Sequence, residues 1–432
     1  MFFFLTGAGL MKDNNETIRI VIDPGHGGEN EGTIENGFQE KAMTLKTALK
    51  IYEELSLYDG IEVYMTRTDD RDLSLKERAE FAREVDADFL FSIHYNASVA
   101  HDLFGSEVWI SVQESYQSSS LRFGMIQLEQ MQEMGLFIRG IKTRENDKGN
   151  DYYGILREAA ALDIPAVIIE HCHVDEYRDS VFCDSEEELE AFGMADAEAI
   201  AKYFGLKSET AGVDYSGYMP ESQPYAGKLL DMVRKDETIP DVCQITLLSA
   251  DYDNCTLTLS VSAVDYDSML LYYDYSIDGG ISYSCLYEWP DSNALTGTYT
   301  DTFTITLDIP SGETPAVLFR AYNLFQGFEE SNRLAFSHVF QYPEPAAEEE
   351  QIEDPVKIES PDDQTATLTW APSRTGDTEE NVRILDFLMV CLICVILLFL
   401  TVLTMQFARY RSRRKKRRYN RKEPESTRNH TR

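Results

Sequence analysis

Between residues 17 and about 207, short apolar runs alternate with stretches of helical period. IRIVID (18–23), IEVYMTR (61–67), DFLFSIH (88–94), SEVWISV (106–112) and PAVIIE (165–170) each read as a strand. Between them, Leu45, Leu49, Tyr52 and Leu55 recur at helical spacing after Glu40, and Ser74 with Glu77 forms a capping box that opens a further helix. A final helix is expected over 184–204. Strands alternating with helices predict an α/β unit, a mostly parallel sheet with helices on both faces.

From about 242 to 342 the period shortens to two. CTLTLSVSAV, LLYYDYS, ISYSCLYEW, TFTITLDI and AVLFRAYN alternate or run apolar, with an Asp278-Gly279-Gly280 turn between the second and third. About seven strands at ten-residue spacing predict a β-sandwich, and AVLFRAYNLFQGFEESNRL weakly resembles the late strands of fibronectin type III or immunoglobulin-like domains. A linker is expected over 208–241, and the Pro-, Glu- and Asp-rich stretch 343–383 reads as an extended stalk.

Residues 387–407 are uncharged and apolar, and as a helix they would span about 32 Å. Including the three residues before them, the expected transmembrane helix is 384–407, followed by a basic tail over 408–432. The tail carries 12 Lys/Arg against 2 Asp/Glu, whereas the first 407 residues carry 27 against 73. Basic residues collect on the cytoplasmic side, so the expected protein is single-pass, with the acidic part extracellular and the C-terminus cytoplasmic. Residues 1–16 read as the remnant of a signal segment without a basic n-region. Ser373-Arg-Thr-Gly-Asp377 before the apolar run also resembles, in part, a sortase signal, which makes wall attachment the alternative. The net charge of −36 argues against nucleic-acid binding, and 43% hydrophobic residues exclude wholesale disorder. The five cysteines outside the apolar span do not form a disulfide framework and are expected mostly as free thiols.

The chemistry gathers where strands end. The first strand runs into Asp23-Pro-Gly-His26-Gly-Gly, the third into Ser92-Ile-His94-Tyr-Asn96, and the last closes on Glu170. In open α/β sheets functional groups collect at the carboxyl ends of strands. Two histidines and a carboxylate, with Glu40 opening a nearby helix, have the composition of a zinc site, although each histidine alone is equally compatible with a structural role.

VIDPGHGG, Gln39-Glu40-Lys41, MTRTDD, FSIHYNAS and PAVIIE, in this order and spacing, resemble the zinc-dependent N-acetylmuramoyl-L-alanine amidases over about 190 residues. The resemblance implies a bacterial hydrolase that cuts the amide between N-acetylmuramic acid and L-alanine in peptidoglycan. It implies one Zn2+ per chain held by His26, Glu40 and His94, water activated by the metal as nucleophile, and Glu170 as general base and then acid. Arg67 and Asn96 also match, as supporting or substrate-side residues. Glu29, Glu31 and Glu35 compete for the Glu40 role, but a helix start gives Glu40 a defined direction.

After Glu170 the chain departs from the common Gly-Phe and Ser/Thr-Asn continuation and reads His171-Cys172-His173-Val174-Asp175. On a strand His171 and His173 face away from Glu170, yet a strand-end turn would bring one of them to metal or substrate. The sandwich is expected to be a spacer. Its Asp251/Asp253 and Asp265/Asp267 pairs are candidate calcium ligands without an EF-hand loop. A non-catalytic peptidoglycan-binding protein on the same fold, or a zinc peptidase cutting within the stem peptide, are the alternatives.

Overall fold

The computed structural model describes residues 17–35, 37–220, 233–234 and 237–343. The expected signal remnant, the stalk beyond residue 343, the membrane span and the basic tail lie outside the described residues. Among the described residues no helix is long and apolar enough to cross a membrane.

The first part contains β1 (Ile18–Pro24), β2 (Ile34–Glu35), β3 (Phe38–Gln39), α1 (Glu40–Leu55), β4 (Ile61–Met65), α2 (Leu75–Glu84) and β5 (Phe89–Asn96). It continues with β6 (Ser106–Ile110), α3 (Glu114–Glu133), β7 (Ile138–Lys142), α4 (Gly154–Ala160), β8 (Ala166–His173), α5 (Tyr177–Ser180) and α6 (Glu186–Phe204). Six strands form one sheet in the order β4-β1-β5-β8-β6-β7. β4, β1, β5 and β8 run parallel, β6 runs antiparallel to β8, and β7 follows β6 in parallel.

The two-residue period of the central strands sorts side chains onto two faces. Ile20, Ile22, Phe89, Phe91, Val167 and Ile169 join the core under α1, α3 and α6. Val21, Leu90, Ala166 and Ile168 point the other way, into a smaller core with Ala82 of α2 and with Ile155, Leu156 and Ala159 of α4. With both faces buried, these strands are mostly apolar until their carboxyl ends, Arg19 near the start of β1 and Ser92 in β5 apart. The capping box at Ser74 and Glu77 is formed, and a second one, Ser185 with Glu188, starts α6.

Of the four positions expected on the inner face of helix α1, Leu55 is buried and Leu45 half-buried, but the other two are not. Leu49 and Tyr52 are 41% and 46% exposed, while Met43, Thr44, Thr47, Ala48, Ile51 and Leu55 are buried. The threonines serve close packing. The Thr47 hydroxyl lies 2.7 Å from Tyr95 Oη, Thr44 Oγ1 donates to the Gly25 carbonyl at 2.8 Å, and α6 approaches so closely that a Cβ on Gly193 would meet the Thr47 carbonyl at 2.8 Å.

Beyond α6, the hairpin of β9 (Lys207–Ser208) and β10 (Val213–Asp214) leads to Tyr215 and Tyr218, which pack on the main core, so the expected linker starts as part of that layer. Next come β11 (Val242–Asp251), β12 (Thr256–Val264), β13 (Leu270–Ser276), β14 (Tyr287–Glu288), β15 (Thr302–Asp308), β16 (Ala316–Asn323), β17 (Phe328–Glu330) and β18 (Leu334–Ala335). β11-β12-β15 form one antiparallel sheet and β14-β13-β16-β17, with β18 on β16, the other. Leu257, Leu259 and Val261 face Val317, Phe319 and Ala321 across a shared core. Of ISYSCLYEW, only the short β14 pairs into a sheet. Asp251 and Asp265, expected as calcium candidates, spend their carboxylates on turns, accepting from Asn254 and from the Asp267 and Ser268 amides. Cys172, Cys183, Cys243, Cys255 and Cys285 are free thiols.

One buried ion pair ties the sheet to the loop after β1. Asp23 accepts from Arg78 Nη1 at 2.7 Å, Thr66 Oγ1 at 2.6 Å and Ser92 Oγ at 2.9 Å. Burial alone would raise its pKa, but the Arg78 charge and these hydrogen bonds hold it below the usual carboxylate value. A depressed folded-state pKa means stability that is present above the unfolded-state value and is lost as pH falls. Asp23→Asn should therefore lower stability at pH 7 by about 3 kcal/mol and flatten the acid limb of a pH–stability curve measured by denaturant unfolding.

Candidate active site

The β1–α1 connection is a loop whose backbone geometry is set residue by residue. Gly25 passes against the His94 ring so closely that any Cβ there would collide with it. His26 then adopts φ +63°, an unusual conformation for a residue with a side chain, and swings its imidazole toward the first turn of α1. Two buried guanidiniums secure the loop from below. Arg67 donates to the carbonyls of Pro24, Gly25 and Lys41, and Arg78 to those of Pro24 and His26. Burial and the neighbouring Arg78 charge bring Arg67 down to about 10. Its expected supporting role thus has a concrete form, tying the loop to α1.

At the head of α1, the buried Glu40 Oε1 lies 3.0 Å from His26 Nε2 and 3.0 Å from His94 Nδ1, and accepts from the Tyr95 amide at 3.2 Å. Its Oε2 accepts from the Thr33 amide at 2.8 Å. Burial opposes ionisation of Glu40, but hydrogen bonds from the two histidines hold its carboxyl far below the usual range. The His26 imidazole moves up instead, Glu40 outweighing its burial. One ligand atom from each of His26, Glu40 and His94 fits within 4.8 Å of the others, a group able to hold a metal ion. Two imidazoles and a carboxylate are donors that zinc accepts, with room for a fourth ligand. Glu29, Glu31 and Glu35 are solvent-exposed and take no part.

Glu170 stands directly across from His94 in the β5–β8 register. Its Oε2 is enclosed without a hydrogen-bond partner, an orphaned acceptor in the wall of the site. Burial, then the negative charges of Glu40 and Glu107, raise its pKa well above that of an ordinary glutamate. The two histidines after it stay away from the metal group. His171 is buried, with Nδ1 2.9 Å from the His94 carbonyl and Nε2 2.8 Å from Asp196, so it braces the strand that carries His94. His173 is buried 3.2 Å from the Gly105 carbonyl and lines the cleft, its pKa lowered by burial and by Arg139.

A family model described as N-acetylmuramoyl-L-alanine amidase, Amidase_3, matches residues 20–202. The curated N-acetylmuramoyl-L-alanine amidase CwlM of Bacillus licheniformis is 30% identical over 197 residues, covering 45% of this chain and 72% of that protein. The sporulation-specific N-acetylmuramoyl-L-alanine amidase of Bacillus subtilis is 31% identical over 198 residues, covering 45% and 71%. The chain belongs to the N-acetylmuramoyl-L-alanine amidase family. Among solved structures, the catalytic domain of CwlV from Bacillus (Paenibacillus) polymyxa is 26% identical, covering 44% of this chain and 100% of that one at a TM-score of 0.39.

In this amidase the sequence motifs leave out a buried charge cluster beside Glu170. Glu107 on β6 faces Glu170 across the β6–β8 pairing. It accepts from Arg139 Nε at 2.9 Å, Lys142 Nζ at 2.7 Å, Asn96 Nδ2 at 2.8 Å and Trp109 Nε1 at 3.2 Å. Burial works against its ionisation, but Arg139 and Lys142 keep its carboxyl well below the usual range. Burial brings Lys142 down to about 8 despite Glu107. Asn96, expected as a supporting or substrate-side residue, is thereby held at the cleft by Glu107. The available signal was a glutamate inside the apolar SEVWI strand and two cations inside the five-residue IRGIK strand, charges that a buried strand carries only when they are paired.

The tight approach at Gly25 makes the metal group sensitive to a single methyl. Gly25→Ala should displace the His94 ring and lower zinc affinity by about 10–100-fold, measured by competition with a chromophoric chelator, with an unchanged far-UV circular dichroism spectrum.

Proposed function

We propose that this amidase hydrolyses the amide between the lactyl group of N-acetylmuramic acid and L-alanine in peptidoglycan, with zinc held by His26, Glu40 and His94. The observation that carries this reading is the convergence of that donor set with the unpartnered, enclosed carboxylate of Glu170 across the β5–β8 pairing. When bound, zinc supplies Lewis-acid polarisation of the scissile carbonyl and makes a coordinated water acidic. Glu170 takes a proton from the attacking water and returns it to the departing L-alanine amine. Its raised proton affinity, set by burial and by Glu40 and Glu107, suits the delivery step. Asn96, held at the cleft through Glu107, lies on the substrate side.

The apolar span 387–407 and the basic tail support a single-pass anchor, with the amidase facing outward and the tail in the cytoplasm. A full chain carrying a C-terminal tag should stay with membranes through an alkaline carbonate wash, and its tag should resist protease added to spheroplasts. Covalent retention in the wall after detergent extraction would instead favour sortase attachment.

The activity is tested by digesting purified peptidoglycan and sequencing the new ends by mass spectrometry. Stem peptides with a free L-alanine amine, one zinc per chain, and a loss of about 10²–10⁴-fold in rate for a zinc-replete Glu170→Gln are expected. Cleavage inside the stem would make the protein a peptidase. Zinc binding or peptidoglycan binding without any product would make it a binding protein.

A further inference from the structure

The family match ends at residue 202, yet the cleft beside Glu170 does not end with the family fold. A cleft of about 620 Å³ is lined by Asn96, Glu107 and Glu170 of the first part and by Tyr322, Phe325 and Phe328 of the β-rich region. The contact between the two parts is built like a core. Tyr272 of β13 is buried between the rings of Phe104 and Phe137, and its hydroxyl donates to the Phe104 carbonyl at 2.5 Å. Arg178 donates to the Leu286 carbonyl at 2.7 Å. Gly140 of β7 lets Leu324 and Ala294 pack directly on the strand, where a Cβ would stand 3.1–3.2 Å from them. A spacer has no need of contacts that deep.

The wall itself is rigid and aromatic. Tyr322 and Phe328 are a cross-strand pair of β16 and β17, with ring centroids 5.2 Å apart. The Tyr322 hydroxyl donates to Asp274 at 3.0 Å, and the Arg320 guanidinium lies 5.1 Å from the Phe328 ring centroid. Asn323 pins the intervening turn, accepting from the Phe325 and Gly327 amides. Phe328 keeps 42% of its surface exposed. Trp109 and Tyr153, which pack at 4.9 Å, line the same cleft, so aromatic rings reach it from both parts of the chain.

We propose that the β16–β17 hairpin is a saccharide subsite that holds a sugar of the glycan strand flanking the one that carries the scissile amide. This rests on the amidase reading of the cleft and extends it to a part of the chain outside the family fold. Pyranose rings carry an apolar C–H face and a rim of hydroxyls, a match for aromatic faces interspersed with amide side chains such as Asn96 and Gln326. The charges of the cleft suit an uncharged ring better than the carboxylates of a stem peptide. Arg139 and Lys142 are already committed to Glu107, and the Arg144 guanidinium stacks 3.6 Å over Tyr152. Through the hairpin the β-rich region determines how much glycan the enzyme reads, and a preference for polymer over small muropeptides follows.

The test uses the full chain in detergent and an uncharged, peptide-free tetrasaccharide of N-acetylglucosamine, titrated by calorimetry. Binding should weaken about tenfold in Phe328→Ala and be restored in Phe328→Tyr, because only an exposed ring face is lost and regained. On substrates, Phe328→Ala should raise KM for long peptide-bearing glycan strands about tenfold at unchanged kcat, and leave a monosaccharide muramoyl-tripeptide unaffected. No binding of the peptide-free tetrasaccharide by the wild type, or binding that Phe328→Ala does not change, would overturn the proposal. So would an equal loss on strand and monosaccharide substrate. Failure of the amidase reading itself would show separately, as tetrasaccharide binding by a protein that releases no L-alanine-terminated stem.

Discussion

The loop that carries His26 lies between a strand and a helix and has little regular hydrogen bonding of its own, so its carbonyls depend on Arg67 and Arg78. Between them these two guanidiniums serve the Pro24, Gly25, His26 and Lys41 carbonyls, and Arg78 also neutralises Asp23. Buried cations are stable only when nearly every N–H has an acceptor, and here the acceptors are the backbone that must be held still. That reciprocity makes a positive φ at His26 tolerable and keeps its ring aimed at Glu40. The direction of α1, the passage of Gly25 along His94 and the convergence of the three donors all follow from a loop that cannot relax.

On that frame three glutamates from neighbouring elements are given three electrostatic fates. Glu40 is kept ionised by two imidazoles and Glu107 by two cations, while Glu170, on β8 between the strands of His94 and Glu107, has no cation in contact among the described residues and holds its proton more firmly. The same side-chain type is held ionised between two imidazoles, held ionised between two cations, or left with a raised proton affinity according to its partners. Glu107 also joins the site to the rest of the molecule. Its partner Arg139 lies 3.5 Å from the Tyr272 hydroxyl of the β-rich region, so the packing of that region reaches the charge cluster beside Glu170. Replacing either part alone would disturb the other.

Much of this was legible in the chain. Buried parallel strands must be apolar on both faces, so their runs stand out, and loop residues at their carboxyl ends are not obscured by packing demands. His26, His94 and Glu170 stand out for that reason and Glu40 as a helix start, and the structure brings the first two together with Glu40 and sets Glu170 across from His94. The inner face of α1 was legible only in part, because the close approach of α6 and of Tyr95 favours threonine and alanine over the leucines that a hydrophobic pattern selects. β7 was missed because Arg139 and Lys142 interrupt it, and nothing local reveals that Glu107 neutralises both. The reversed direction of β6 also escaped, since a strand pattern carries no sign of the orientation of its neighbour.

Local pattern and residue order thus determined the α/β layer, the period-two region after it and the helix cap at Ser74, because each depends on side chains close along the chain. Tertiary structure alone decided three further points. It left His171 and His173 as buried supports rather than ligands, since strand pairing and the contacts with Asp196 and Gly105 were settled by distant segments. It gave the Asp251 and Asp265 carboxylates turn hydrogen bonds. And it placed Tyr322 and Phe328, some 150 residues beyond Glu170, in the same cleft, through buried contacts at Tyr272, Leu286 and Leu324 that no spacing along the chain encodes.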